Sequence, residues 1–121
     1  MANQTILIAD DSPTELRMVV TALQNKGYQI VTAADGEEAI EKVTSQLPRL
    51  AILDIIMPKK NGFQVLRHIR STPETKEMKI LLLSSKNQES DKFWGLKQGA
   101  DAYMTKPFED AELVQTVAKL M

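Results

Sequence analysis

The sequence contains no cysteine among its 121 residues, so neither disulfide bonds nor thiolate-bound metals can hold the fold together. No apolar run approaches the ~18 residues that a membrane-spanning helix needs. The amino terminus also lacks a basic region followed by a long apolar stretch, which is the pattern of a secretory signal. We therefore expect a cytoplasmic protein that is neither secreted nor inserted in a membrane.

An excess of charge of one sign is also missing, because the formal net charge is −1. This balance gives no basic surface for nucleic acid and no polybasic membrane patch. Hydrophobic residues make up 43% and charged residues 26% of the chain, the ordinary proportions of a globular protein. The length fits one domain over residues 1–121, which is long enough to bury a hydrophobic core.

Glycine is scarce, with five residues in the chain, and none lies in residues 9–13, which follow the first predicted strand. An α/β domain that binds a nucleotide needs a glycine-rich loop at this place, so that backbone N–H groups can approach the phosphates. The sequence therefore argues against a nucleotide-binding domain.

Short apolar runs alternate with helical patterns five times along the chain. Continuously apolar runs of this length are typical of parallel strands that are covered on both faces. The pattern predicts one doubly wound α/β domain with five parallel strands. The predicted strands are residues 5–9, 29–33, 50–53, 80–83 and 102–105.

The first helix has a clear predicted start. Ser12 is a suitable N-cap, Pro13 fits the first helical position, and Glu15 is placed to complete a capping box with Ser12. Gly27 is the predicted end of this helix.

Charged side chains follow three of the predicted strands at the point where each strand ends. Asp10 and Asp11 follow the first strand, Asp54 the third and Lys106 the fifth. Ligands of parallel α/β sheets bind beyond the carboxyl ends of the strands, so these side chains should meet. Three adjacent carboxylates repel one another unless a cation neutralises them, and Mg²⁺ prefers oxygen ligands. We expect a magnesium site, although Asp10 and Asp11 alone could simply cap a helix.

Asp54 and Lys106 are candidates for phosphoryl chemistry. A carboxylate can attack phosphorus to form an aspartyl phosphate, and Lys106 could stabilise charge on the transferred oxygens. Pro107 makes a cis peptide bond after Lys106 possible, which would direct the lysine into the cleft. The alternatives are a turn-forming aspartate and a solvated loop lysine.

Ser84 ends the fourth strand at the same edge, where its hydroxyl could bond a phosphoryl oxygen or merely end the strand. Tyr103 is typical of a half-buried strand, and its rotamer could also report the position of Ser84.

These motifs together resemble the receiver domain of response regulators of bacterial two-component systems, the CheY-like family. The resemblance covers nearly the whole chain, in order, and implies a single receiver domain over residues 1–121. We expect no effector domain, so that the output is a contact with another protein. The resemblance is carried by Asp10-Asp11, by Asp54 with Met57-Pro58 and Gly62, by Ser84, and by Lys106-Pro107-Phe108.

The resemblance implies the flavodoxin-like strand order 2-1-3-4-5 and a role for each motif residue. Asp54 corresponds to the phosphoacceptor, and Asp10 and Asp11 to Mg²⁺ ligands together with Asp54 and the backbone carbonyl of Ile56. Ser84 and Tyr103 correspond to the switch residues, and Lys106 to the family's lysine. The partners would be a histidine kinase and a downstream protein, which binds or leaves the surface of the fourth helix, fifth strand and fifth helix.

Phe93 and Trp94 on the predicted fourth helix are candidates for that partner surface. Two adjacent aromatic residues on one helix cannot both point inward, so we expect one of them to be exposed.

A finer resemblance connects the chain with stand-alone receivers of type IV pilus (twitching) chemosensory systems. It rests on residues 12–15 and on residues 91–100. Ile56 and Lys86 occupy positions that influence the lifetime of the phosphoryl group in the family, so this lifetime stays open.

Three other functions compete with this interpretation. A phosphatase of the haloacid dehalogenase type would need a second aspartate where this chain has Ile56, so we expect no enzyme beyond self-phosphorylation and self-dephosphorylation. Two alternatives remain. The protein could be a phosphate sink that drains a shared kinase, or it could be a binding module that works without phosphorylation, although such a module would have lost an acid or the lysine.

Overall fold

A computed structural model describes residues 3–121 of the chain, and it contains five strands that alternate with five helices. The predicted strands are confirmed in number and position. They are β1 Thr5–Ala9, β2 Gln29–Ala33, β3 Leu50–Leu53, β4 Lys79–Ser84 and β5 Ala102–Thr105.

A helix follows every strand. The helices are α1 Pro13–Leu23, α2 Gly36–Gln46, α3 Gly62–Ser71, α4 Glu89–Lys97 and α5 Asp110–Leu120. Within residues 3–121, no helix combines the length and the apolar character that crossing a membrane requires.

All strand pairs are parallel, and the sheet order is β2-β1-β3-β4-β5. Successive side chains of a strand point to opposite faces, so each central strand contributes to two cores. Leu7 packs in the core beneath α2 and α3, whereas its neighbours Ile6 and Ile8 pack in the core beneath α1 and α5. The sheet is thereby covered on both faces, which confirms the doubly wound α/β architecture.

The start of α1 differs from the prediction in one side chain. Ser12 accepts a hydrogen bond from the Glu15 backbone N–H at 3.3 Å, as an N-cap should. The predicted capping box is wrong, however, because the Ser12 N–H donates to Asp10 and the Glu15 carboxylate bonds Lys106. A complete capping box is present at α3, between Asn61 and Gln64.

The end of α1 also differs, because the helix stops at Leu23 and not at Gly27. Gln24 is extended, and Asn25 adopts the left-handed conformation with φ 64°. Asparagine tolerates this conformation better than most residues, so the chain leaves the helix before it reaches the glycine.

Helix α4 contacts the sheet through Gly95. A Cβ atom at this position would lie 2.8 Å from Leu82 Cδ1 and 3.1 Å from the Tyr103 ring. The aromatic residues beside it point away, so Phe93 and Trp94 are 65% and 46% exposed. The expectation that the two aromatics do not both point inward is confirmed, and the structure adds that both are exposed, because the glycine provides the contact with the sheet.

Gly62 allows α3 to begin directly against the chain segment after β3. A Cβ atom here would lie 2.4 Å from the Asp54 carbonyl oxygen and 2.8 Å from Ile55 Cα. The Gly62 N–H also donates to the Ile55 carbonyl at 2.8 Å. The position of the Asp54 backbone therefore depends on the absence of a side chain at Gly62.

We predict that Gly62→Ala lowers the free energy of unfolding by about 2 kcal/mol, because the added methyl group forces two backbone segments apart. Chemical denaturation measures this loss, and amide NMR shifts should change around Asp54. Thr14→Ala, an exposed change in the first turn of α1, should stay within about 0.5 kcal/mol of wild type. Equal stability of the two variants would contradict the packing argument.

Candidate functional site

Three candidate residues continue the hydrogen bonding of the sheet one residue beyond their strands. The Asp10 N–H donates to Ala33, the Asp54 N–H to Ala9 and the Lys106 N–H to Ser84, at 2.9–3.0 Å. The sheet therefore fixes the backbone from which each of these side chains extends. The three positions share the carboxyl edge of the sheet.

Lys106 joins the acidic side chains. Its Nζ atom lies 2.6 Å from Asp10 Oδ2, 2.6 Å from Glu15 Oε1 and 3.2 Å from Asp54 Oδ2. The Lys106–Pro107 peptide bond is cis. The ammonium crosses the end of β4 to reach the residues that follow β3 and β1, which requires a side chain as long as lysine.

The environment of Lys106 keeps its ammonium charged. Burial alone would lower the pKa of Lys106, but hydrogen bonds to Asp10 and Glu15, together with the charge of Asp54, raise it above its ordinary value. The Lys106 side chain is only 10% exposed, so solvent screens these interactions weakly. The pocket therefore contains a fixed cation at physiological pH.

The three aspartates offer a set of oxygen ligands that fits a divalent cation. One carboxylate oxygen from each of Asp10, Asp11 and Asp54 lies within 4.8 Å of the others. The Asp11 carboxylate forms no hydrogen bond or ion pair with residues 3–121, and the Ile56 carbonyl accepts no hydrogen bond from them. Lys106 leaves the cluster with net negative charge, and hard oxygen ligands of this kind suit Mg²⁺.

Ser84 and Tyr103 are connected through the backbone of Lys86. The buried Ser84 hydroxyl accepts a hydrogen bond from the Lys86 N–H at 3.4 Å. The Tyr103 hydroxyl donates to the Lys86 carbonyl at 2.7 Å. Burial, helped by the charges of Asp91 and Asp54, raises the pKa of Tyr103 to about 12, so the phenol stays a donor. A movement of Ser84 would therefore reach Tyr103 through one residue.

The strand register places Ser84 near Asp54. Leu53 pairs with Leu82, so Asp54 is level with Leu83 and Ser84 lies one residue further along β4. Phe93 and Trp94 lie outside the pocket, on the exposed side of α4.

Glu15 is the site residue that the sequence interpretation missed. It was assigned to a capping box, yet its carboxylate is one of the two nearest partners of the Lys106 ammonium. It follows Asp11 by four residues, in the first turn of α1, and this position close behind the acidic pair is the available signal. Its carboxylate adds a fourth negative charge at the edge of the pocket.

Comparison with known proteins agrees with this geometry. Residues 6–118 match the family model described as response regulator receiver domain. Protein PilH of Pseudomonas aeruginosa is 38% identical over 112 residues, which cover 93% of each chain. The alkaline phosphatase synthesis transcriptional regulatory protein PhoP of Bacillus subtilis is 38% identical over 98% of this chain, but the chain spans only 49% of that protein.

Solved structures share the architecture. Chemotaxis response regulator CheY4 of Vibrio cholerae superimposes with a TM-score of 0.91 at 32% identity, over 99% of this chain and 100% of the other. The receiver domain of Francisella response regulator 1452 gives a TM-score of 0.90 at 30% identity, with 98% and 96% covered. The chain belongs to the CheY-like family of response regulator receiver domains.

Proposed function

We propose that this receiver accepts a phosphoryl group on Asp54 from a histidine kinase and then changes its α4-β5-α5 surface to bind or release a protein partner. The observation that carries the proposal is the position of Asp54, whose carboxylate lies 3.2 Å from a buried ammonium and beside two further carboxylates.

The chemical step is a transfer between two nucleophiles. An oxygen of the Asp54 carboxylate attacks the phosphorus of a phosphohistidine, and the new O–P bond forms as the N–P bond breaks. The kinase imidazole leaves with the electron pair and takes a proton from water. One Asp54 oxygen accepts the Ile56 N–H at 3.3 Å, which helps fix the orientation of the carboxylate for attack.

Receiver domains generally bind Mg²⁺ at an acidic pocket, and the ligand set here fits that ion. The carboxylates of Asp10, Asp11 and Asp54 and the carbonyl of Ile56 would hold it. Mg²⁺ held there would neutralise charge on the transferred phosphoryl oxygens.

Lys106 supplies the second positive charge. Its ammonium already bonds the attacking carboxylate, so a short movement brings it to a phosphoryl oxygen. Because Lys106 follows β5 directly, its side chain also connects the phosphoryl group to that strand.

Phosphorylation reaches the surface through Ser84 and Tyr103. A phosphoryl oxygen attracts the Ser84 hydroxyl, which then leaves the Lys86 N–H and shifts the loop that Tyr103 holds through the Lys86 carbonyl. A shift in population from about 1% to 99% active requires roughly 5.5 kcal/mol. A few charge-assisted hydrogen bonds of about 1.5–3 kcal/mol each supply this.

The output surface contains the exposed apolar residues of α4. Phe93, Trp94 and Leu96 are 46–65% exposed. The Nζ atom of Lys97 lies 5.6 Å from the centroid of the Phe93 ring. Helix α4 contacts the sheet through Gly95 beside Tyr103. A movement of the Tyr103 ring would therefore change how the helix packs on the sheet.

The wider context of the proposal follows from the family and the relatives. A receiver is a signalling module and not an enzyme for external substrates, and we place this one in the cytoplasm as a regulator that contacts proteins and not nucleic acid. Its similarity to protein PilH supports a role in pilus-based motility or chemotaxis. The alternatives are a phosphate sink for a shared kinase and a phosphate-independent binding module.

We predict that Asp54→Ala abolishes phosphorylation without unfolding the protein, because it removes the attacking oxygen. Intact-mass spectrometry after incubation with acetyl phosphate and Mg²⁺ detects the adduct. Asp110→Ala, which removes an exposed acid at the start of α5, should be labelled like wild type. A phosphoryl adduct on Asp54→Ala would show that another residue is the acceptor.

We predict that Mg²⁺ stabilises wild type by about 2.7 kcal/mol at 100 times its dissociation constant. Asp11→Asn should lose most of this gain at the same Mg²⁺ concentration, because Asp11 contributes a carboxylate that has no other partner in residues 3–121. Thermal unfolding with and without Mg²⁺ measures the effect, with Asp110→Asn as control. An unchanged Mg²⁺ response in Asp11→Asn would remove Asp11 from the ligand set.

We predict that Lys106→Ala slows phosphorylation by roughly 100-fold without abolishing it, because one charge that stabilises the transition state is lost. The phosphorylated variant should no longer change Trp94 fluorescence, since the connection between pocket and β5 is missing. Lys119→Ala, at an exposed position of α5, is the control. A wild-type fluorescence change in phosphorylated Lys106→Ala would separate Lys106 from the switch.

A further inference from the structure

The Lys106 ammonium has no hydrogen-bond donor to spare. A lysine ammonium carries three N–H donors, and its three carboxylate partners here are Asp10, Glu15 and Asp54. A phosphoryl group on Asp54 would bring further acceptor oxygens to the same cation. The donor that bonds Asp54 can pass to one phosphoryl oxygen, but a bond to a second phosphoryl oxygen requires Lys106 to release Asp10 or Glu15.

Burial indicates which of these two contacts breaks. Asp10 is 3% exposed, so loss of the ammonium would leave a charge in a place that water hardly reaches. The Glu15 side chain is 47% exposed, and water replaces its partner at little cost.

The surroundings of Glu15 allow its carboxylate to move away. It borders an open depression of about 310 Å³, together with Met18 and Phe108. The start of α1 does not depend on the carboxylate, because Ser12 bonds only the Glu15 backbone N–H. The side chain can turn outward while the helix stays intact.

We propose that Glu15 is a positioning residue, which holds the Lys106 ammonium in the unphosphorylated receiver and releases it when a phosphoryl group forms on Asp54. This role rests on the proposed function. The Glu15–Lys106 ion pair must separate before the phosphoryl group is fully bound, and the free energy of this separation opposes phosphorylation. The residue at position 15 therefore influences how readily the phosphorylated state forms.

The test measures the binding of beryllofluoride, a mimic of the phosphoryl group, at saturating Mg²⁺. Glu15→Gln should bind it about two- to fivefold more tightly than wild type, because a neutral amide holds the ammonium less strongly than a carboxylate. The Mg²⁺ affinity is measured in parallel, since a purely structural role would leave the ratio of the two affinities unchanged.

Two further variants separate contact from charge. Glu112→Gln is the matched control, because Glu112 is also the third residue of its helix, is exposed and has no ion pair within residues 3–121. It should bind beryllofluoride like wild type. Glu15→Asp keeps the charge but shortens the side chain by one methylene group, so it should lose the contact and behave like Glu15→Gln.

Each outcome decides a separate question. Unchanged or weaker beryllofluoride binding by Glu15→Gln would overturn the positioning role while leaving the proposed function intact. Tighter binding by Glu15→Gln with wild-type binding by Glu15→Asp would also overturn it, because charge alone would then be responsible. Failure of wild type to bind beryllofluoride with Mg²⁺ would overturn the proposed function itself, and the role of Glu15 with it.

Discussion

One buried ammonium balances the carboxylates at the carboxyl edge of the sheet. Lys106 contacts Asp10, Glu15 and Asp54, and its side chain is only 10% exposed. Without this cation the acids would repel one another in a place that water screens poorly. The cluster still carries net negative charge, so it also attracts a divalent cation. The same charge balance explains both the resting structure and its readiness for an added phosphoryl group.

The sheet fixes the backbone positions of the residues in this cluster. Asp10, Asp54 and Lys106 each donate a backbone hydrogen bond to a neighbouring strand, although each lies beyond the end of its own. Gly62 then allows α3 to pack against the Asp54 backbone. Ser84 and Tyr103 meet at the backbone of Lys86, outside the ion cluster. The pocket is therefore rigid where charge must be placed and connected to the surface through a short loop.

The fold and most of the site could be predicted from sequence because strand ends are easy to recognise. Continuous apolar runs gave the five strands, and the charged residues after them converge as parallel strands require. Glu15 was misassigned because a glutamate three residues after a serine has two possible partners, and only packing decides between Ser12 and Lys106. In helix α4 the sequence predicts that Phe93 and Trp94 do not both point inward, but it does not show that both are exposed, since the contact with the sheet is a glycine and helical periodicity reports side chains.

The most direct test of the account is a crystal structure of the protein with Mg²⁺ and beryllofluoride. We expect the beryllium adduct on an Asp54 oxygen, with Lys106 Nζ within hydrogen-bond distance of a fluoride and no longer in contact with Glu15. An adduct on any other residue, or Asp54 modified while Lys106 keeps all three carboxylates, would contradict the claim that this ammonium connects the resting pocket to its phosphoryl state.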